Sequence, residues 1–233
     1  MHVYIISGVS RGLGYALVEN IMNACSEEII VLGLSRNIPD LLSRFPNRFE
    51  WVKTDFKNPE EITGNLEFAL KKYSPSKIFF ISNAGDINPI AKIGEIASQE
   101  MMDSLSVNIL SPSNIINYLL NNYSKIEKLY FINISSGAAN KAIQGWSLYS
   151  SSKAYMKIYF DVLAAELMDE KDGRIVVKQI DPGAMDTNLQ VEIRNANVPS
   201  EQQDKLKNLY ETNNLKQPKE VAEIIIQNIR EIQ

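Results

Sequence analysis

The sequence has 233 residues, of which 45% are hydrophobic and 22% are charged, a composition typical of a soluble globular protein. Its 24 Lys and Arg residues and 28 Asp and Glu residues give a net charge of −4. This weak acidity argues against a nucleic-acid partner and against an anionic membrane surface. His2 is the only histidine, so we expect neither a metal site nor Ser-His-Asp catalysis.

The sequence also indicates the cellular compartment of the protein. No apolar run approaches the roughly 18 residues needed to cross a bilayer. The start of the sequence lacks a charged segment followed by a long apolar stretch, so no signal peptide is expected. The single cysteine, Cys25, cannot form an internal disulfide bond, which is typical of a reducing environment. We therefore expect a cytoplasmic protein with no membrane partner.

Apolar runs and helical patterns alternate along the chain. Six runs suited to buried parallel strands occupy residues 2–7, 29–34, 49–54, 77–82, 128–134 and 174–180. Helical patterns occupy about residues 13–24, 59–73, 99–122, 148–168 and 219–233. This order predicts an α/β fold of the Rossmann type, with one doubly wound parallel sheet and right-handed crossovers. No repeat or linker is visible, so residues 1–233 are predicted to form a single domain.

Two segments depart from this alternation. Residues 86–98 contain Pro89 and Gly94 and are predicted to form a loop, whereas residues 184–217 are long and polar. Long irregular insertions in a compact domain are usually functional lids or are disordered. The second segment follows the carboxyl end of a predicted strand, where open α/β sheets bind ligands. We therefore expect an irregular substrate lid at about residues 184–217.

A glycine-rich turn joins the first predicted strand to the first helix. Its sequence is Ser7-Gly8-Val9-Ser10-Arg11-Gly12-Leu13-Gly14. Glycines at this junction permit a tight turn and let the backbone approach a pyrophosphate, which a helix N-terminus stabilises. The alternative is a flexible turn without a ligand, but the position at the first strand–helix junction favours a dinucleotide.

The end of the second predicted strand indicates which dinucleotide is bound. A carboxylate there would accept a hydrogen bond from a ribose 2′-OH, as in NAD sites. The sequence instead has Leu34-Ser35-Arg36-Asn37, and Arg11 lies in the glycine turn. Two guanidiniums can flank a 2′-phosphate, so NADP(H) is predicted. The alternative is that both arginines are solvated surface residues.

A candidate acid–base pair stands at the start of a predicted helix. Tyr149 and Lys153 are one turn apart and therefore lie on the same helix face. A nearby ammonium favours phenolate, so Lys153 is predicted to lower the pKa of Tyr149 towards the working pH. Such a pair is common on helices and is not specific by itself.

Two more polar residues make the set more specific. Ser136 follows an apolar strand and can hold a carbonyl oxygen, although Ser135 is an alternative and both hydroxyls can serve as caps or turn residues. Asn108 is a poor helix former within a helical pattern. It can bind a water molecule linked to Lys153 in a proton relay, or it can mark a local kink before Pro112.

These motifs together resemble the short-chain dehydrogenase/reductase family over almost the whole sequence. The glycine turn resembles that family's TGxxxGxG motif, with Ser7 in place of threonine. Ser82-Asn83-Ala84-Gly85 resembles its NNAG motif, and residues 181–187 resemble its PGxxxT segment, which covers the nicotinamide. Asn108, Ser136, Tyr149 and Lys153 match its Asn-Ser-Tyr-Lys tetrad. The resemblance also places Asp55 against the adenine.

Within the family, the sequence is most similar to sepiapterin reductase and benzil reductase members. Residues 145–149, residues 186–190 and the lid carry this similarity. It implies NADPH-dependent reduction of a ketone, often one carbonyl of a vicinal diketone such as benzil. Trp146 would then form an apolar wall for an aryl or pterin ring, or would only anchor its turn. The family usually has another strand after its last helix, and this sequence has no match to it, so we expect six strands. The aspartate by which sepiapterin reductase anchors its pterin lies in that tail, so we expect no pterin specificity.

The predicted function is that of an NADPH-dependent carbonyl reductase acting on a small-molecule carbonyl substrate. A homodimer through the long helices, including residues 148–168, is expected because that helix is apolar on more than one face. The alternatives are an NAD-linked alcohol dehydrogenase and a non-catalytic NADP-binding regulatory protein.

The expected site residues fall into three groups. The catalytic residues are Asn108, Ser136, Tyr149 and Lys153. The cofactor-binding residues are Ile6, Gly8, Ser10, Arg11, Gly12, Leu13, Gly14, Arg36, Asp55, Asn83, Ala84, Gly85, Tyr149, Lys153, Pro182, Gly183, Met185 and Thr187. The substrate-binding residues are Ser136, Trp146, Tyr149 and Leu189, and Met185, Val191 and Ile193 of the lid are expected to shape the same pocket.

Overall fold

A computed structural model of the protein describes residues 1–24, 28–168 and 173–231. Its strands are β1 (His2–Ser7), β2 (Ile29–Ser35), β3 (Phe49–Lys53), β4 (Lys77–Ser82), β5 (Lys128–Ile134) and β6 (Ile175–Ile180). They form one six-stranded sheet in the order β3-β2-β1-β4-β5-β6, and all pairs are parallel. The predicted doubly wound α/β fold with six strands is confirmed. Cys25 and residues 232–233 of the last predicted helix lie outside the described residues.

The central strands are mostly apolar because both faces of the sheet are covered. Successive side chains of a strand point to opposite faces. In β1, Tyr4 and Ile6 pack into one hydrophobic cluster, whereas Val3 and Ile5 pack into the other. Each cluster needs apolar residues, so the strand cannot show the alternation of a half-exposed sheet.

Helices cover both faces. They are α1 (Gly12–Ala24), α2 (Leu41–Arg44), α3 (Pro59–Leu70), α4 (Ser98–Leu105), α5 (Ser111–Tyr123), α6 (Ser147–Met168), α7 (Asn188–Asn195), α8 (Glu201–Glu211) and α9 (Pro218–Arg230). Buried residues of α1 and α9 pack on one face of the sheet. Buried residues of α3, α5 and α6 pack on the other face. Because β1 and β4 are adjacent and connect in opposite directions, the sheet has its topological switch point between them.

The helix predicted at residues 99–122 is interrupted. A π-helical turn at Ser106–Leu110 separates α4 from α5, and the N–H of Ser111 bonds to the carbonyl of Ser106. Pro112 has no N–H to donate, which favours such an irregular turn just before it. Asn108 lies within this turn and is 5% exposed. The predicted kink therefore exists, and it brings Asn108 into the interior.

The segment at residues 184–217 is not irregular, contrary to the prediction. It contains the two short helices α7 and α8. Each buries only a few side chains, such as Ile193 on α7 and Leu206 on α8, and so the sequence reads as polar. Ser200 caps α8, because its hydroxyl accepts a hydrogen bond from the N–H of Gln203 at 3.1 Å. We refer to residues 184–217 as the lid segment.

The described residues contain neither a membrane-spanning helix nor a metal-binding cluster. Within the ranges given above, no helix is both long enough and apolar enough to cross a membrane. The same residues contain no group of three or more His, Cys, Asp or Glu side chains placed to hold a metal ion.

Candidate active site

A cleft of about 630 Å³ lies at the carboxyl edge of the sheet. The glycine turn after β1 and the residues that follow β2, β4, β5 and β6 form its base, and α7 and α8 contribute to its wall. This is the place where open α/β sheets bind ligands. Most of the predicted site residues line this cleft.

The glycine turn has the geometry of an anion cradle. Gly8 and Gly12 have φ angles of 77° and 60°, in the left-handed region that favours glycine. A side chain on Gly14 would place its Cβ 2.1 Å from the carbonyl oxygen of Gly8, so only glycine fits there. Helix α1 begins at Gly12, and its free N–H groups face the open turn. These residues fit the pyrophosphate of a dinucleotide.

Ser7 connects this turn to the strand next to it. Its hydroxyl accepts hydrogen bonds from the backbone N–H groups of Asn83 and Ala84, each at 2.9 Å. The Asn83 side chain returns two bonds, to the carbonyl oxygens of Ser7 at 2.9 Å and Gly8 at 3.2 Å. Ser7 is 3% exposed and was not among the predicted site residues. Its position at the end of β1, directly before Gly8, is the sequence signal by which Ser7 could have been recognised as a site residue.

Most of the predicted cofactor residues are at the cleft. Those that line it are Gly8, Ser10, Arg11, Gly12, Leu13, Arg36, Asp55, Asn83, Ala84, Gly85, Tyr149, Lys153, Pro182, Gly183, Met185 and Thr187. Two others do not line it. The side chain of Ile6 is buried in the core beneath the sheet, because it points away from the edge. Gly14 supports the turn from behind, against Gly8.

The two arginines differ in their surroundings. Arg36 is exposed and lines the cleft directly after β2. Arg11 also lines the cleft, and its guanidinium lies 3.9 Å from the carboxylate of Glu192 on α7. Glu192 further accepts a hydrogen bond from the Asn88 side chain at 2.9 Å. Glu192 thus connects the lid segment to the glycine turn and to the loop after β4, and the sequence analysis did not identify it.

Tyr149 and Ser136 both line the cleft. Tyr149 is on the first turn of α6 and is 7% exposed. Burial raises the pKa of Tyr149, Ser136 lowers it and Asp181 raises it further. Of the two serines considered from the sequence, Ser136 is the one that acts on the tyrosine pKa. The net direction is upward, so the phenol is protonated at neutral pH.

Lys153 lies one turn further along α6. Burial lowers its pKa to about 8, against a smaller opposing effect of Asp181. Its ammonium donates a hydrogen bond to the carbonyl of Ile134 at 2.9 Å and lies 5.8 Å from the centre of the Tyr149 ring. The sequence predicted a lowered tyrosine pKa beside Lys153, whereas the net shift in the structure is upward. Burial dominates the Tyr149 pKa and acts in the opposite direction.

Asn108 lies behind the cleft and not on its wall. Its amide exchanges two hydrogen bonds with the backbone of Asp86, at 2.9 and 2.8 Å. A Cβ on Gly85 would lie 3.5 Å from the Asn108 oxygen and 3.7 Å from the Lys153 nitrogen. The two side chains therefore converge on the same glycine, and the absence of a side chain at Gly85 leaves room between them.

An apolar wall adjoins Tyr149. Trp146 is 5% exposed and meets the tyrosine ring edge-on, with 5.9 Å between ring centres. Ile87, Ile193 and Leu206 belong to the same cluster, and Leu189 packs against it. Trp146 also anchors its turn through a backbone bridge to Ala91. Trp146 therefore anchors its turn and places its ring against Tyr149.

The segment after β6 closes the cleft on the remaining side. Gly183 has a φ angle of 75°, and its N–H donates to the Asp181 carboxylate at 3.0 Å. Met185 forms a backbone bridge with Lys216 at the far end of the lid segment. The side chain of Thr187 lies 3.5 Å from where Gly12 would carry a Cβ. This segment therefore touches the glycine turn and encloses the space between the turn and Tyr149.

A doubly wound sheet with a glycine turn at its switch point, facing a buried tyrosine–lysine pair, is the arrangement of a nicotinamide-dependent oxidoreductase. The chain belongs to the short chain dehydrogenase family, whose sequence pattern matches residues 2–198. The chain is 30% identical to benzil reductase ((S)-benzoin forming) of Bacillus subtilis over 95% of its own length and 90% of that protein.

Two further relatives place the chain within the family. Sepiapterin reductase of Xenopus tropicalis is 29% identical, with 82% of this chain and 76% of that protein covered. The crystal structure of the KRED1-Pglu enzyme has a TM-score of 0.84 and 25% identity, and the match covers 97% of this chain and 93% of the other. The chain is therefore an oxidoreductase of the benzil reductase and sepiapterin reductase type.

Proposed function

We propose that the protein is an NADPH-dependent carbonyl reductase that reduces one carbonyl of a vicinal diketone such as benzil. The observation that carries this proposal is that Tyr149 and Ser136 line the same cleft that the glycine turn opens into. A protonated phenol beside a serine hydroxyl is suited to receive and protonate a carbonyl oxygen.

The residues of the glycine turn would hold the cofactor pyrophosphate against the start of α1. Arg11 and Arg36, which both line the cleft, would bind a 2′-phosphate, and Asp55 would contact the adenine. Lys153 would bind the nicotinamide ribose, and residues 182–187 would cover the nicotinamide. When bound, the reduced cofactor supplies the hydride that a carbonyl carbon accepts.

Side chains of the protein then supply the proton that the carbonyl oxygen receives. Ser136 orients the carbonyl oxygen and stabilises its developing negative charge. Tyr149 donates its phenolic proton to that oxygen, and its raised pKa keeps the proton available at neutral pH. The ammonium of Lys153 favours the phenolate that remains, at the moment when negative charge forms. Asn108 would hold a water molecule in the gap beside Gly85, through which Lys153 returns a proton to Tyr149.

The apolar wall supports an aryl ketone as the substrate. Trp146, Ile193 and Leu206 present aromatic and aliphatic surface next to Tyr149. A relative at 30% identity is a benzil reductase, which supports a diketone with two aryl groups as the substrate. We propose that Leu189 contacts one of these groups, since it packs against the same cluster.

We also propose a homodimer that forms through α6. This helix buries Met156, Phe160 and Leu163 in the domain core. Its opposite face leaves Tyr155, Ile158 and Val162 exposed at 47%, 59% and 49%. Size-exclusion chromatography with light scattering tests this, because Ile158→Asp should convert a dimer to a monomer. A wild-type monomer would contradict the proposal.

The test of the function is hydride transfer to a panel of aryl diketones, followed by cofactor absorbance with NADPH and with NADH. We expect turnover of benzil with a higher kcat/KM for NADPH. Arg36→Asp should reverse this preference by weakening NADPH binding. Oxidation of secondary alcohols with NAD⁺ without diketone reduction would instead indicate an alcohol dehydrogenase. Binding of NADPH without any turnover would indicate a regulatory protein.

A further inference from the structure

Asp181 places a carboxylate at the catalytic end of the cleft. It follows β6 directly, and its Oδ1 atom accepts a hydrogen bond from the N–H of Gly183 at 3.0 Å. This bond fixes the side chain. The other oxygen, Oδ2, lies 3.5 Å from the position that a Cβ on Gly137 would occupy. Since Gly137 comes directly after Ser136, Oδ2 stands beside the segment that presents the serine hydroxyl.

This oxygen has no partner of opposite charge. In the part of the chain that the structure describes, no Lys or Arg nitrogen lies within ion-pair distance of Asp181. The residue is exposed and lines the cleft. The Asp181 carboxylate is therefore accessible from the cleft.

The electrostatic effects of Asp181 confirm that it acts close to the reacting groups. It raises the pKa of Tyr149 and opposes the lowering of the pKa of Lys153. A negative charge so near the carbonyl site opposes the negative charge that forms on the carbonyl oxygen during reduction. The carboxylate therefore does not assist the reduction of a plain ketone.

A second acceptor without a donor lines the same cleft. Gln190 on α7 is 5% exposed, and its side-chain oxygen is buried with no hydrogen-bond partner among the described residues. Buried acceptors of this kind are unfavourable until a donor reaches them. The residues that line the cleft thus include one acceptor directly after β6 and a buried one from the lid segment.

The geometry points to a substrate that carries a hydrogen-bond donor, a hydroxyl or amino group, which Asp181 binds through Oδ2 while the carbonyl occupies the site at Ser136 and Tyr149. This inference rests on the proposed function and narrows its substrate class. Benzil itself has no such donor. The preferred ketones would be those with a hydroxyl or amino substituent placed near the reacting carbonyl, and Asp181 would be a specificity-determining residue.

The test compares pairs of substrates that differ only in the donor. The ortho, meta and para isomers of hydroxybenzil are each paired with the corresponding methoxybenzil, and kcat/KM is measured at neutral pH. The readout is the ratio within each pair, so effects of a variant on catalysis in general cancel. We expect the wild type to prefer the hydroxyl compound of at least one pair by about tenfold, the magnitude of a charge-assisted hydrogen bond.

Three variants test whether the Asp181 carboxylate causes the preference for the hydroxyl compound. Asp181→Asn keeps the acceptor for Gly183 but loses the charge, and the ratio should fall to within about twofold. Asp181→Glu keeps the charge and moves it by one methylene, so the favoured isomer should change. Glu223→Gln removes one negative charge from the exposed face of α9 and should leave the ratio as in the wild type.

The outcomes test the role of Asp181 and the reductase function separately. Turnover of every ketone with no preference in the wild type, or with a preference that Asp181→Asn retains, overturns the role of Asp181 and leaves the reductase function standing. The absence of turnover for every ketone overturns the proposed function and this inference with it.

Discussion

The ammonium of Lys153 donates a hydrogen bond to the backbone carbonyl of Ile134 at 2.9 Å. Ile134 is the last residue of β5, two residues before Ser136, and Lys153 is one turn after Tyr149 on α6. This bond therefore connects the catalytic helix to the strand end that presents the serine. Burial of the same ammonium has a measurable consequence, because it lowers the pKa of Lys153 to about 8.

We expect the kcat/KM of ketone reduction to fall as the pH rises above about 8. Lys153 loses its charge in this range, and the neutral amine no longer favours the phenolate of Tyr149. A pH–rate profile measures this limb. Asp181→Asn should move it to lower pH, since Asp181 opposes the lowering of the Lys153 pKa. A profile that stays flat to about pH 10, near the ordinary lysine pKa, would contradict the assignment.

The same pKa predicts a stability effect. The folded state binds fewer protons than the unfolded state between the folded pKa of about 8 and the ordinary value of 10.5. The free energy of unfolding should therefore rise with pH through this window, by up to about 3 kcal/mol. Lys153→Met should remove this rise in urea titrations across the window. A variant with an unchanged pH dependence would show that Lys153 is not the group responsible.

Ser7→Ala should destabilise the protein and weaken cofactor binding. The substitution leaves the N–H groups of Asn83 and Ala84 without their acceptor in a buried place. We expect a loss of about 1–3 kcal/mol in the free energy of unfolding, measured by urea denaturation. Ser7→Thr keeps the hydroxyl and should stay within about 1 kcal/mol of the wild type. Equal losses in both variants would argue against the hydrogen bonds as the cause.

Two glycine-to-alanine changes form a matched pair. Gly14→Ala places a methyl group 2.1 Å from the carbonyl oxygen of Gly8 and must distort the turn. We expect a loss of about 1–3 kcal/mol or more, and a large rise in the Kd for NADPH. Gly64→Ala lies on the exposed side of α3 with no atom within 4 Å, and should stabilise the protein by about 0.5–1 kcal/mol. Thermal unfolding of both variants, with and without NADPH, measures the difference.

The main architecture could be predicted because its signals are local. Runs such as Lys128–Ile134 consist mostly of buried apolar residues, and the strands lie within one residue of the predicted bounds. The glycine turn could be placed because Gly8 and Gly12 adopt a conformation that other residues rarely reach. The spacing of Tyr149 and Lys153 sets their common face once α6 is a helix.

Features that depend on the tertiary structure could not be predicted. The helices of the lid segment gain their stability from Ile193 and Leu206, whose partner Trp146 is distant in sequence. The direction of the Tyr149 pKa depends on how deeply the ring is buried, which no spacing indicates. The contacts of Glu192 with Arg11 and Asn88 likewise join segments that only the fold brings together.

The central claim is that the phenol of Tyr149 protonates the carbonyl oxygen of the substrate. Tyr149→Phe removes this hydroxyl and little else, so it tests the claim most directly. We expect kcat for diketone reduction to fall by about 10²–10⁴-fold, while the Kd for NADPH stays within about threefold of the wild type. A Tyr149→Phe enzyme that binds NADPH normally and reduces the diketone at the wild-type rate would contradict the account.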